Sequence, residues 1–324
     1  AVEAITHQRR TDSQLGAWLQ DLQGATVDDV QAANIRLARR SYDRSKKVPA
    51  ALVEELARVT VRAQGIWAKA RQANRFADFA PSLKEIIDLK RQEAACLATD
   101  GRSSYDVLLD DFEPGMTVAV LQPLLESMRP RLSRLRQTIA ESGVEQPGLT
   151  GPFATDRQLD LARKLAGVVG YDWNSGRLDL SVHPFSSGTA GDARITTRVD
   201  ADDPLGCLYS TVHELGHALY EQGISDGMDF SPVAHHVSMG VHESQSRLWE
   251  NQIARSRSFC QWLYPHFIDA FGDCGVSSAD ALYQAVNYVK TGFVRTEADE
   301  VHYNLHVLLR FELERDLISG ALEV

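Results

Sequence analysis

Two histidines four residues apart, His213 and His217, with Glu214 directly after the first, are the residues of this 324-residue sequence whose types and spacing point most directly to chemistry. Four residues is just over one helical turn. On a helix both imidazoles therefore share a face, and their ring nitrogens can reach one divalent cation about 2.0–2.1 Å away. Glu214 is rotated about 100° from His213. Its carboxylate would face a water activated by the metal rather than the metal itself, which is the place of a general base in peptide hydrolysis.

The element that must carry this trio is bounded by its own sequence, DPLGCLYSTVHELGHALYEQG over 203–223. Asp203 suits an N-cap, Pro204 suits the first helical position and Gly223 suits a C-terminal stop. Leu205, Leu208, Val212, Leu215 and Leu219 recur at spacings of three and four, which predicts one buried face with the histidines on an adjoining one. Two histidines do not hold a catalytic zinc, so a third ligand is required. The longer metzincin pattern is excluded, because Tyr220 and Gly223 stand where its glycine and third histidine belong. Glu221 would lie on the far side of a site already spanned by the two histidines. The remaining candidates are Glu243 and Glu250 in the helical pattern VSMGVHESQSRLWENQIAR over 237–255, and spacing alone divides them almost evenly. A surface pair of Glu243 with Arg247 is the plainer explanation of that spacing.

Composition narrows the rest. With 34 Lys and Arg against 44 Asp and Glu the net charge is −10, which argues against nucleic acid as a partner. No long apolar run predicts a membrane span, and residues 1–10 lack the pattern of a secretory signal. Cys96, Cys207, Cys260 and Cys274 are scattered, which predicts free thiols in a reducing compartment and a cytoplasmic protein.

Helical periodicity predicts helices over 48–72, over 80–97 with Pro81 at its first position, and over 116–142 with Pro123 and Pro130 kinking or dividing it. EQPGLTG over 145–151 is the best internal hinge, separating a helical lobe of about 1–146 from a metal-site lobe of about 152–324. The alternating segments RLDLSV (177–182) and RITTRV (194–199) form the one convincing strand pair. Asp192, Arg194 and Thr196 share one face of the second strand, where an Asp-to-Arg pair on an exposed face is the plain reading. A last helix over 291–318 would align Arg295, Asp299, His302 and His306 as one polar stripe with an Arg295 to Asp299 ion pair. The expected fold is mainly α, with a small antiparallel sheet beside the helix that carries the histidines.

HELGH at 213–217 followed by HESQ at 242–245 resembles the carboxypeptidase Taq family of thermostable metallocarboxypeptidases. Further family-like segments follow the same order: FAPSLKEIIDLKR (79–91), YDVLLDDFEPGMT (105–117), HPF (183–185), DARIT (192–196) and VRTEADEV (294–301). The resemblance covers most of the chain. It implies a helical saddle with a deep groove, removal of single residues from peptides with a free C-terminus, and a homodimer. It also implies His213, His217 and Glu243 as ligands of one divalent ion and Glu214 as the catalytic base, selecting Glu243 over Glu250. The ion is expected to be zinc, with cobalt or manganese compatible with the same donors. Arg295 is the expected anchor of the substrate carboxylate, because Arg offers a bidentate fork. Asp192, Arg194 and Thr196 are expected to close one side of the groove and limit substrate length. His183 and His242 are expected to support the ligands from behind. The family's Gly-x-x-Gln-Asp-x-His-Trp motif and a later Tyr-bearing segment have no counterpart before Val324, so 1–324 reads as a single catalytic domain, incomplete relative to the family. Two other readings fit the same residues: an oligoendopeptidase of the same zinc chemistry, and a catalytically inactive metal-binding fragment.

Overall fold

A computed structural model describes residues 2–145, 148–225 and 227–324. The chain forms two compact units, one of Ala1–Glu126 with Leu308–Val324 and one of Ser127–Val307. Of the expected hinge, Gln146 and Pro147 lie outside the described residues.

The first unit is helical: α1 (Val2–Arg10), α2 (Ser13–Asp21), α3 (Asp29–Lys47), α4 (Ala50–Gln72), α5 (Phe76–Leu97), α6 (Ser104–Leu109) and the start of α7 (Val118–Glu141). Helix α3 begins at a capping box in which Asp28 and Gln31 satisfy each other's backbone N–H groups. Its core gathers Val48, Ala94, Leu97, Val107, Leu108 and Ile318. Asp110, just after α6, is a polar knot. Its carboxylate accepts from Arg40 Nη2 at 2.8 Å, Arg102 Nη1 at 3.1 Å and the Gly115 N–H at 2.9 Å. One expectation needs correction and another is narrowed. Helix α5 starts at Phe76, so Pro81 lies inside it, and of the two outcomes expected for α7, a kink or a division, division does not occur: the helix continues through Pro123 and Pro130. Tertiary packing outweighs the loss of single backbone donors there.

The second unit continues through α8 (Thr155–Val168), β1 (Leu178–Leu180), β2 (Ser186–Thr189), β3 (Asp192–Thr197), α9 (Pro204–Gln222), α10 (Met239–Arg247), α11 (Arg257–Phe271), α12 (Ala279–Val286) and most of the first half of α13 (Glu300–Ser319). The sheet order is β1-β3-β2. The two strands expected to pair antiparallel run parallel, Leu178 opposite Ile195, and the antiparallel partner of β3 is β2. The sheet is thus mixed. That third strand is made of small residues, and Gly188 lets its backbone lie against Asp192, where a Cβ would meet the Asp192 carbonyl oxygen.

Helix α9 is the centre of this unit. Leu208 and Val212 enter one core with Phe153, Leu165, Leu263 and Phe267, while Cys207, Leu215 and Ala218 enter another with Ala193 and Ile195 of β3. The helix is consequently buried on most sides rather than along one stripe, and Glu214, His217 and Glu221 are buried with it. The caps are as expected, with Asp203 accepting from the Gly206 N–H at 3.0 Å. The expected helix over 291–318 is shorter. Asp299 accepts the N–H groups of Val301 and His302 at 2.9 and 3.0 Å and so caps α13, leaving Arg295 in a preceding 3-10 turn. Among the described residues no helix is long and apolar enough to cross a membrane.

Candidate metal centre

The close approach of α9 and α10 creates the site. Gly216 has no side chain, and a Cβ there would stand 2.5 Å from Ser246 Cα and 2.6 Å from the Gln245 carbonyl oxygen. With the backbones that near, Glu243 on α10 lies over the two histidines of α9. Its Oε2 is 3.1 Å from His217 Nε2 and 3.7 Å from His213 Nε2. All three donor atoms lie within 4.8 Å of one another. Two imidazoles and a carboxylate converging in this way fit one borderline divalent ion with a position left open. Burial alone would raise the Glu243 carboxyl, but the hydrogen bond to His217 and the charge of His213 hold it at about 2, so it stays an anionic donor.

Glu250, the other candidate of equal spacing, sits on the opposite side of the same ring. Its Oε2 is 2.8 Å from His213 Nδ1, and Arg247 Nη1 donates to the same oxygen at 2.8 Å. Arg255 Nη2 lies 3.6 Å from its other oxygen. Seven residues return a helix nearly to the same direction, which is why spacing could not separate the two glutamates. Distance along the axis and a π-type turn over Leu248–Ile253 separate them. Burial opposes ionisation of Glu250, but the hydrogen bond to His213 and the neighbouring arginines keep its carboxyl below the usual range. A carboxylate on Nδ1 keeps the proton on that nitrogen and turns the Nε2 lone pair toward the donor set.

Glu214 is buried on α9. Burial pushes its carboxyl up to about 7, opposed by His213 and reinforced by the negative charges of Glu243 and Glu250. A divalent cation among the donors would draw it down again.

The remaining expected residues are distributed differently. Arg295 does not pair with Asp299. Its Nη1 donates to the Tyr303 hydroxyl at 2.7 Å, and that hydroxyl makes a long hydrogen bond of 3.4 Å to Glu243 Oε1. Asp299 instead holds His302 Nδ1 at 2.8 Å. The Tyr303 ring also carries the Arg247 guanidinium 4.0 Å from its centroid. Asp192 and Arg194 form a bidentate pair on an exposed strand face, with hydrogen bonds of 2.8 and 2.7 Å. Thr196 is buried and accepts from the Phe185 N–H at 2.8 Å, fixing the segment that contains His183. His242 lies behind His217, ring centroids 4.5 Å apart. Sequence reasoning missed Tyr303. Its offset of eight from Arg295 carries no meaning until a turn and a capped helix bring the two together.

A mainly helical chain that gathers the two histidines of an H-E-x-x-H helix and a glutamate of the next helix has the framework of a metallopeptidase. Comparison with known proteins identifies which one: the carboxypeptidase Taq (M32) metallopeptidase family matches residues 1–324, and the chain belongs to that family. The thermostable carboxypeptidase 1 of Thermus thermophilus is 38% identical over 338 residues, 99% of this chain and 66% of that protein. Carboxypeptidase 1 of Bacillus subtilis is 34% identical over 297 residues, 90% of this chain and 58% of that protein. Among solved structures, metallocarboxypeptidase 1 of Trypanosoma cruzi superposes with a TM-score of 0.90 at 35% identity, covering 98% of this chain and 65% of that one. The M32 carboxypeptidase of Deinococcus radiodurans gives 0.90 at 36%, with the same coverage. The chain thus spans between 58 and 66% of the length of these relatives.

Proposed function

We propose that residues 1–324 carry the metal site of a cytoplasmic, homodimeric metallocarboxypeptidase that removes C-terminal residues from peptides, and that they belong to one catalytic domain. The observation that carries this reading is the convergence of His213, His217 and Glu243 beside the buried Glu214. His213 Nε2, His217 Nε2 and Glu243 Oε2 would hold the ion, zinc by preference for such donors. When bound, the ion supplies a Lewis acid that polarises the scissile carbonyl and acidifies water.

The chain's own residues do the rest. Glu214 takes the proton of the attacking water and passes it to the leaving amine. Its burial beside the negative charges of Glu243 and Glu250 raises its affinity for that proton. Glu250, itself fixed by Arg247 and Arg255, holds the proton on His213 Nδ1 and so keeps Nε2 available as a donor. Arg295 offers a guanidinium one hydroxyl away from Glu243, close enough to the donor set to receive the terminal carboxylate of a peptide. Asp192, Arg194 and Thr196 stiffen β3, the strand that we read as the limit on peptide length.

The experiment is hydrolysis of an N-blocked dipeptide with a free C-terminus by the zinc- or cobalt-loaded 324-residue chain, alongside its C-terminal amide and the variant Glu214→Gln. Release of the last residue from the free acid only, lost in Glu214→Gln with metal retained, is the expected result. Equal cleavage of the amide would replace this reading with an oligoendopeptidase. Stoichiometric metal without turnover would replace it with a metal-binding fragment.

A further inference from the structure

Glu221 continues the polar face of α9 one turn beyond His217 but takes no part in the donor set around Glu243. It faces His242, whose Nε2 is 3.0 Å from Glu221 Oε1. His236, in the segment that leads into α10, stacks on the His242 ring with centroids 4.7 Å apart and planes 23° apart. Ligand atoms of Glu221, His236 and His242 lie within 4.8 Å of one another. We propose that Glu221, His236 and His242 form a second divalent-metal site, distinct from that of His213, His217 and Glu243, which takes zinc or a similar borderline cation.

Three observations carry this. First, the donor set is two imidazoles and one carboxylate, the same chemistry as the first site and one that prefers zinc or cobalt over magnesium or calcium. Second, His242 Nε2 is buried and has no hydrogen-bond partner among the described residues, although a carboxylate oxygen lies 3.0 Å away outside hydrogen-bonding geometry. A buried ring nitrogen left unmatched costs free energy, and a cation accepting lone pairs from both atoms removes the mismatch. The 3.0 Å separation is close to the roughly 3.3 Å edge between two ligands of a tetrahedral zinc. Third, the two sites are arranged by one geometric fact. Neighbouring residues on a helix point about 100° apart, so α10 sends Glu243 to His213 and His217 and sends His242 to Glu221. Neither set needs a ligand of the other. His236 lies on a half-buried loop and can turn its ring toward the pair without moving a helix.

The test is zinc binding to the metal-free 324-residue chain, followed by calorimetry and by elemental analysis after gel filtration, for the wild type, His236→Ala and Glu243→Gln. His236 is half-buried in a loop outside α9 and α10, so its removal leaves the packing of both helices in place. The expected result is one equivalent of zinc that persists in Glu243→Gln and weakens by about 100-fold or more in His236→Ala. Cobalt should report the same equivalent through its visible absorption, and magnesium should not compete for it. Wild-type zinc stoichiometry and affinity in His236→Ala overturn the proposal. Loss of one equivalent in Glu243→Gln tests the first site separately, so failure of either site is read independently of the other.

Discussion

Gly216→Ala tests the claim that a missing side chain positions the proposed metal site. An added Cβ would stand 2.5 Å from Ser246 Cα, 2.6 Å from the Gln245 carbonyl oxygen and 2.8 Å from the Ser246 nitrogen. Carbon atoms in contact sit about 3.5–4.0 Å apart, so α9 and α10 must separate locally by about 1 Å. All three obstacles are backbone, and none can rotate away as a side-chain tip could. Overpacking of this kind costs about 1–3 kcal/mol, against a gain of roughly 0.5–1 kcal/mol from replacing a helical glycine. Glu243 is on the same helix one turn before Ser246, and ligand distances tolerate only about 0.2 Å. The variant should therefore lose about 1–2 kcal/mol of stability without metal and bind zinc at least about 10-fold more weakly. Chemical unfolding of the metal-free protein and zinc titration against a competing chelator measure the two. Gly65→Ala is the internal control: Gly65 is an exposed position of α4 with nothing among the described residues within 4 Å of a Cβ, and should gain about 0.5–1 kcal/mol. A Gly216→Ala protein as stable as the wild type, with unchanged zinc affinity, would refute the packing argument.

Other predictions follow from the same contacts. Glu250→Gln removes the charge that orients His213 and leaves Arg247 and Arg255 without their carboxylate, so zinc affinity should fall by about 10- to 100-fold while a zinc-loaded sample keeps its stoichiometry at saturation; unchanged affinity by chelator competition would count against that role. Asp110 tests electrostatics in the first unit. Burial alone would raise its carboxyl, but the Gly115 N–H and the guanidiniums of Arg40 and Arg102 outweigh burial and hold it at about 2, below the ordinary 3.8. Because the folded value is the lower one, its contribution is full above about pH 4 and is lost as pH falls toward 2; it amounts to roughly 2 kcal/mol. Asp110→Asn should thus be destabilised by about that amount at neutral pH and should show a flatter loss of stability in acid. Equal stability of the two proteins at pH 7 in denaturant titrations would contradict it. Asp203→Ala should cost about 1 kcal/mol through the lost cap of α9, measured the same way.

The sequence alone determined whatever local stereochemistry controls. Asp203, Pro204 and Gly223 bounded α9 because caps act within one turn, and the His213 and His217 spacing placed both rings on one face for the same reason. Ordered motifs extending over most of the chain carried the family resemblance that the comparisons then established. Only the tertiary structure decided what depends on partners distant along the chain. Glu243 and Glu250 are equivalent by helical phase, and the depth at which α10 crosses α9, permitted by Gly216, puts one on Nε2 and the other on Nδ1. RLDLSV and RITTRV alternate equally well in either direction, and their parallel pairing arises because β2 takes the other edge of β3. Arg295 and Tyr303 meet only because a 3-10 turn holding Arg295 precedes α13, which Asp299 caps. Periodicity reports which face of an element is apolar, but it holds no information on how deeply two such faces approach, and that distance sets the chemistry of the site.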